Sequence, residues 1–293
     1  MKLKKIACLG LAAMLAIGAL GCGSDNKAAD NKAGSKVTGS VTGSGSSALL
    51  PLAKDAASKF KALNPDVSIT INGGGSGTGL KQVADGSVNI GNSDVPAESK
   101  LKPEVAKGLV DHKVCVVTMA PVINKYLAAK VKSLTKAQLT DIFTAKVTNW
   151  KQVGGPDEPI VLITRPATSG TRALFQEFAL GGAKEATNKS LETDDSGTLL
   201  QSVKDNKGAI GYVALSYLVN NKDVATVAID GVEPTLDNTY NGKYPVWGYE
   251  HMYTKGEASG AVKAFLDFIL SADYGKEIEK QGYGVTAKMQ VKR

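Results

Sequence analysis

Leu162–Arg172 reads L-I-T-R-P-A-T-S-G-T-R, and the rest of the chain is organised around it. Ile160–Ile163 is a short apolar run rich in β-branched residues, bounded by Pro159 and Pro166, which is the pattern of a buried strand. Leu174, Phe175 and Phe178 recur at helical spacing, so a helix is predicted over Ala173–Leu180, beginning near Thr171. Between strand and helix lie an arginine, hydroxyl residues and a glycine. A helix start offers unpaired N–H groups and the positive end of the peptide dipole. Arg165 adds a fork of donors whose charge persists at any working pH. Together these describe a place for a small oxyanion. Taken alone, the segment also reads as an ordinary capped helix beside a surface arginine.

The same arrangement occurs twice more. Val37–Val41 reads as a strand, followed by the glycine- and serine-rich turn Gly43–Ser47 and a helix over Ala48–Leu63. Leu49, Leu52, Ala53, Ala56, Phe60 and Leu63 share one face of that helix, and Pro51 falls in its first turn, where a missing N–H costs little. Val67, Ile69 and Ile71 alternate as a second strand, then come N-G-G-G-S-G-T-G (72–79) and a short helix over Leu80–Asp85. Val88–Ile90 reads as a strand ending in G-N-S-D (91–94). Strand, glycine-rich turn and helix in repetition predict an α/β sheet with its ligand loops at the carboxyl ends of the strands. The continuous apolar run Val114–Ile123 predicts a central strand passing between domains, and Trp247–Tyr253 a second crossing strand. Further helices are expected over Thr135–Phe143, Asp195–Lys204, Ser259–Leu270 and Tyr274–Gln281, and strands over Ala209–Val213 and Val224–Ile229. Three predicted helix starts carry hydroxyl or small residues: Ser46-Ser47-Ala48, Ser76-Gly77-Thr78 and Ser169-Gly170-Thr171. With Arg165 and the strand-end carboxylate Asp94, they are hard to explain as capping alone.

The first 21 residues stand outside the fold. Lys2, Lys4 and Lys5 precede the apolar Ile6–Leu20, which is short for a membrane span. The next residues, Ala19-Leu20-Gly21-Cys22, resemble a bacterial lipoprotein signal, cut before a cysteine that is then acylated; Ala19 stands where leucine is usual. Plain secretion by cleavage near Gly21 is the alternative, and either places the mature protein outside the cytoplasm. Residues 22–36 are polar and aperiodic, a flexible tether. Of three cysteines, Cys8 leaves with the signal, Cys22 is the lipidation candidate, and Cys115 reads as a buried hydrophobe, so no disulfide is expected. The formal net charge of +7 is modest and scattered, and it gives no argument for nucleic acid.

Catalysis finds little support. His112 and His251 are the two histidines and neither has metal-type spacing. Ser169 lies in T-S-G-T rather than G-x-S-x-G. Gly73–Gly79 contains no G-x-G-x-x-G, and no Gly-Lys-Ser/Thr follows it. Trp150, Trp247 and Tyr249 read as core or hinge-packing residues and His251 as a structural histidine. No catalytic residue, metal or cofactor is predicted.

Six motifs now stand together: G-S-S-A-L-L-P-L (45–52), G-G-G-S-G-T-G-L-K-Q-V (73–83), I-G-N-S-D (90–94), I-F-x-x-K-x-x-N-W (142–150), R-P-A-T-S-G-T-R (165–172) and G-A-I-G-Y-V (208–213). Over Val37–Met289 the chain resembles the phosphate-binding lipoproteins of bacterial phosphate ABC transporters. The resemblance implies an α/β, two-lobed periplasmic-binding-protein-like fold with a hinge of crossing strands. Lobe one would be residues 37–118 plus 246–293, and lobe two 119–245. It also implies the ligand contacts: the Ser47 hydroxyl and Ala48 N–H, Ser76, Asp94 as acceptor from a protonated phosphate oxygen, Arg165, Ser169, the Gly170 N–H and Thr171. The implied partners are inorganic phosphate, the permease subunits of an ABC transporter and a membrane reached through lipidated Cys22, with the receptor a monomer. The rivals are a receptor for another tetrahedral oxyanion, sulfate or molybdate, and a secreted phosphatase. Some family members have threonine in place of Ser47, which keeps the hydroxyl. Some carry an aspartate two residues after the arginine; here that position is Ala167, so the support of Arg165 must come from elsewhere or be weaker.

Overall fold

The computed structural model describes residues 36–293; the predicted signal, Cys22 and nearly all of the predicted tether lie outside the described residues. The strands are β1 (Gly39–Gly45), β2 (Val67–Ile71), β3 (Ile90–Ser93), β4 (Leu109–Asn124), β5 (Ser133–Leu134), β6 (Val161–Thr164), β7 (Ser190–Glu192), β8 (Ala209–Ala214), β9 (Val224–Thr226), β10 (Ala228–Ile229) and β11 (Trp247–Lys255). The helices are α1 (Leu50–Leu63), α2 (Ser76–Asp85), α3 (Pro103–Ala106), α4 (Lys136–Phe143), α5 (Gly170–Phe178), α6 (Ser196–Asp205), α7 (Leu236–Tyr240), α8 (Gly260–Ile269) and α9 (Ala272–Ile278).

One sheet carries the strand order β2-β1-β3-β11-β4-β8-β6-β7, with β9 also on β4; β5 and β10 form a separate pair. β1 is parallel to β2 and β3, and β6 is parallel to β7 and β8. Between these two parallel groups stand β11 and β4, antiparallel to each other and to their outer neighbours. β4 joins the groups along its own length: Leu109–Thr118 pair with β11, and Met119–Ile123 with β8. It is therefore longer than the apolar run Val114–Ile123. Asp111, His112 and Lys113 hid its start in the sequence, yet their backbone pairs with β11 beyond a register shift between Glu250 and His251.

Each parallel group is backed by its own core, as expected of strands covered on both faces. Behind the first, Leu52, Ala53, Ala56 and Phe60 of α1 meet Phe265, Leu266 and Ile269 of α8. The Phe60 and Phe265 rings stand edge-on at 5.6 Å, a favoured aromatic geometry. Behind the second, Phe175 of α5 stacks flat on Tyr212 of β8 at 4.1 Å, with Phe143 of α4 edge-on to Phe175 at 5.0 Å. Cys115 is buried and free.

Several boundaries differ from the sequence reading. The first helix begins at Leu50 rather than Ala48, because the Ser46 hydroxyl accepts the Leu49 N–H and holds Ser46–Ala48 in a turn ahead of it. α2 begins at Ser76 rather than Leu80, taking Gly77 and Gly79 into the helix. The strand expected at Val88–Ile90 lies at Ile90–Ser93, where pairing with β1 and β11 outweighs the polarity of Asn92 and Ser93. The strand expected at Val224–Ile229 is split at Val227, its two halves pairing with β4 and β5.

Gly79 shows why a helix tolerates glycine here. A Cβ at this position would lie 2.4 Å from the Ser44 carbonyl oxygen and 2.6 Å from Gly45 Cα, so helix and strand meet backbone to backbone. Gly275, in α9, has nothing within 4 Å of the same position. Gly79→Ala is expected to destabilise the protein by about 1–3 kcal/mol through overpacking. Gly275→Ala should stabilise it by roughly 0.5–1 kcal/mol through helix propensity. Urea midpoints of the two variants should therefore move in opposite directions, and a neutral Gly79→Ala would mean that α2 can slide on β1.

Candidate anion-binding site

Every predicted contact residue follows the carboxyl end of a parallel strand, where an open α/β sheet places its ligand crevice. Ser47 and Ala48 follow β1, Ser76 follows β2, Asp94 follows β3, and Arg165 to Thr171 follow β6. The loops then meet. The Gly77 N–H donates to the Thr168 carbonyl at 2.9 Å. Lys100 Nζ donates to the carbonyls of Ala167 at 2.8 Å and Ser169 at 3.2 Å. A Cβ on Gly170 would fall 2.2 Å from Ser76 Oγ and 3.0 Å from Asp94 Cβ. Only glycine fits at that contact.

Arg165 is fully buried. Its Nη1 donates to Ser47 Oγ at 3.2 Å and to the Asp194 carbonyl at 2.9 Å. Its Nη2 donates to Ser196 Oγ at 2.8 Å and to the Tyr212 carbonyl at 3.4 Å. The guanidinium carbon sits 5.9 Å from the centre of the Tyr212 ring, within cation–π range. Nε has no partner. The ion pairs of this region go to its neighbour, since Arg172 reaches Glu185 at 3.5 Å and Glu192 at 4.0 Å, while Arg165 makes none among the described residues. Oxygen dipoles thus hold the guanidinium in place, with the Asp194 carboxylate near enough to feel its charge but not in ion-pair contact.

Asp94 is buried too. Its Oδ2 accepts the Thr171 hydroxyl at 2.7 Å, its N–H donates to Ser76 Oγ at 3.0 Å, and its Oδ1 has no partner. A hydroxyl has one hydrogen to give, which sorts the site. Ser47, Ser76 and Ser169 each accept through oxygen, from Arg165, Asp94 and Arg172 respectively, so each can still donate. The Thr171 hydroxyl donates to Asp94 and orients its carboxylate. The Ala48 carbonyl takes the Tyr283 hydroxyl at 2.6 Å, which fixes the turn that presents its N–H.

The partners of Arg165 were not foreseen. Asp194, Ser196 and Tyr212 take the part left open by Ala167. Ser196 carried a signal: Ser-Gly-Thr occurs at 76–78, 169–171 and 196–198, each time at a helix start. Tyr212, inside an apolar strand, carried none. Behind it, the Tyr212 hydroxyl donates to Glu185 Oε1 at 2.8 Å. His251 is structural as expected, its Nδ1 2.8 Å from Asp111 Oδ1. Trp247 and Tyr249 wall a cavity of about 400 Å³ beside Asp94. Among the described residues no group of histidine, cysteine or carboxylate side chains is placed to hold a metal ion.

Residues 30–273 match the PBP superfamily domain. Over 100% of its length, and 98% of the relative's, the chain is 46% identical to the phosphate-binding protein PstS of Bacillus subtilis. The chain belongs to the PstS family. Among solved structures, this PstS-family chain is similar to a putative phosphate ABC transporter substrate-binding protein of Clostridium perfringens with bound phosphate. The likeness has a TM-score of 0.76 and 37% identity, and covers 85% of this chain and 100% of that one. It is also similar to an ABC-type phosphate transport receptor of Vibrio cholerae, with a TM-score of 0.66 and 25% identity over 84% of this chain and 99% of that one. The expected two-lobed α/β architecture is that of the family.

Burial pushes the Glu185 carboxyl from an ordinary 4.5 up to about 7, against the Tyr212 hydrogen bond and the charges of Arg172 and Arg165. A raised value means that the folded protein holds the proton more tightly. The associated stability is complete below pH 4.5 and is lost as pH rises through 7. Glu185→Gln keeps an acceptor for Tyr212 and removes this titration. Relative to the variant, the wild type should lose on the order of 3 kcal/mol across that window. Urea unfolding at several pH values checks it, and parallel curves would mean that Glu185 ionises as freely as in water.

Proposed function

We propose that the protein is an extracytoplasmic receptor that captures inorganic phosphate between two lobes and hands it to the permease of an ABC transporter. One observation carries this reading: a fully buried guanidinium with no carboxylate paired to it stands in the same cluster as a buried carboxylate with an unpartnered oxygen. A buried, unpaired charge costs several kcal/mol, and an anion offsets that cost. Asp94 then narrows the choice, because an acceptor facing an anion tolerates only one that still bears a proton. Phosphate keeps a proton near neutral pH and sulfate does not. The Bacillus relative's name and the Clostridium structure's bound phosphate agree with this reading.

The lobes would be residues 37–118 plus 246–293 and residues 119–245, hinged where β4 changes partner from β11 to β8. Ser47, Ala48, Ser76 and Asp94 then belong to one lobe, and Arg165, Ser169, Gly170 and Thr171 to the other. Phosphate bridging both sets stabilises the closed form. The reading includes no catalysis, and a chromogenic phosphate ester should pass through unhydrolysed. It includes a monomer anchored through lipid on Cys22.

Calorimetry with inorganic phosphate and sulfate tests the ligand. Wild-type protein should bind phosphate and ignore sulfate. Arg165→Ala should lose about 2–5 kcal/mol of phosphate binding. Asp94→Asn should admit sulfate, because the amide removes the repulsion and supplies a donor. Equal wild-type affinity for the two anions would overturn the assignment.

The anchor is tested separately. Cys22→Ser should release the protein into the soluble fraction, since the acyl chains of a lipoprotein cysteine are what hold it to a bilayer. Retention on salt-washed membranes would exclude lipid at Cys22.

A further inference from the structure

Glu250 lies in β11 with no exposure to solvent, and neither of its oxygens finds a donor in the protein. The antiparallel register of β11 and β3 pairs His251 with Ser93 and Met252 with Asn92. Glu250 and Asp94 are the next residues along the two strands, just beyond the paired register. Their carboxyls come within hydrogen-bonding reach of each other. Three buried carboxyl oxygens without partners thus meet at one place: both of Glu250 and Oδ1 of Asp94. Acceptors cannot bond to acceptors, and two carboxylates in contact cannot both ionise. A single proton between them resolves both problems.

The other titratable groups around Glu250 do not supply a counter-charge. Cys115 faces it from β4, and Tyr283 lies near it; burial holds the thiol and the phenol well above their ordinary values, so both are neutral. Burial, and then the charge of Asp94, push the Glu250 carboxyl well above the usual carboxylate range. Asp94 already accepts a hydrogen bond from Thr171, which marks it as the acceptor of the pair.

We propose that Glu250 is a specificity-determining positioning residue: it stays protonated and donates its O–H to Asp94 Oδ1, so that Asp94 is clamped between Thr171 and Glu250 as an acceptor. The inference deepens the phosphate reading and rests on it for the ligand. A hydroxyl on one oxygen and a carboxylic O–H on the other fix the Asp94 plane. Each oxygen keeps a second lone pair, and one of these is what a protonated phosphate oxygen meets. Holding the pair's one proton on Glu250 keeps Asp94 an acceptor, and it is this acceptor that excludes a fully deprotonated anion. No sequence motif marks this residue; it is a single acid inside the apolar run W-G-Y-E-H-M-Y (247–253).

The test uses the purified protein with Glu250→Gln, which keeps a neutral donor, and Glu250→Leu, which removes it. In the infrared, at about pH 9, where Glu185 with its value of about 7 is ionised, wild-type protein should show a protonated-carboxyl C=O component that shifts in D₂O and is lost in Glu250→Gln. This readout needs no ligand, so it decides the protonation of Glu250 even if the phosphate reading fails; that failure would appear as wild-type protein that does not bind phosphate. In calorimetry with inorganic phosphate and sulfate, Glu250→Gln should stay within about threefold of wild type and keep its phosphate preference. Glu250→Leu should lose roughly tenfold or more in phosphate affinity, the effect of one charge-assisted hydrogen bond, and its preference should narrow. Absence of the component lost in Glu250→Gln overturns the proposal. So does a Glu250→Leu variant that matches wild type, or a Glu250→Gln variant as impaired as Glu250→Leu.

Discussion

Everything at the centre of this molecule has to accommodate one buried positive charge. Taking a guanidinium out of water costs several kcal/mol even after relaxation, and at Arg165 no carboxylate salt bridge repays it. Carbonyl and hydroxyl oxygens of four residues do so in part: Ser47 after β1, Asp194 and Ser196 after β7, and Tyr212 within β8. These are dipoles, not charges. They fix the fork in direction while leaving its field available to an anion, which a paired aspartate would have neutralised in advance. The absence of an acid at position 167 is therefore consistent with a site whose net charge is settled by its ligand.

The sheet makes that convergence possible. Two parallel groups of strands send their loops from their carboxyl ends, and the antiparallel pair β4 and β11 sets those ends facing one another. Close approach follows from residue size. Gly170 lets the α5 loop touch Ser76, and Gly79 lets α2 lie against the backbone of β1. Packing behind the loops holds them there, through Phe175 stacked on Tyr212 and the Tyr212 hydroxyl bonded to Glu185. The same ring thus packs the core, supports Arg165 and anchors a carboxyl that titrates near neutrality.

Two carboxyls carry the opposite problem. Asp94 and Glu250 are buried with more lone pairs than the protein has donors to fill. A site that combines a cation in no ion-pair contact with an unsaturated acceptor is selective in two steps, first for negative charge and then for a proton on the bearer of that charge.

By itself the sequence determined what depends on local chemistry. The loops with Ser47, Ser76, Asp94 and Arg165 were legible because glycine, hydroxyl and charge at strand ends have few other uses, and the α/β class followed from their repetition. Helices such as α4 and α6 were legible from Thr135 and Asp195, whose side chains cap them as read. What the sequence left open depends on partners distant along the chain. The length of β4 was decided by its pairing with β11, against its own polar residues. The role of Ser46 in delaying α1 was decided by where one hydroxyl points. Ser196, Tyr212 and Glu250 became parts of the site only when the fold carried them to Arg165 and Asp94. A side chain's burial and its hydrogen-bond partners are properties of the assembled interior, and no spacing within one segment encodes them.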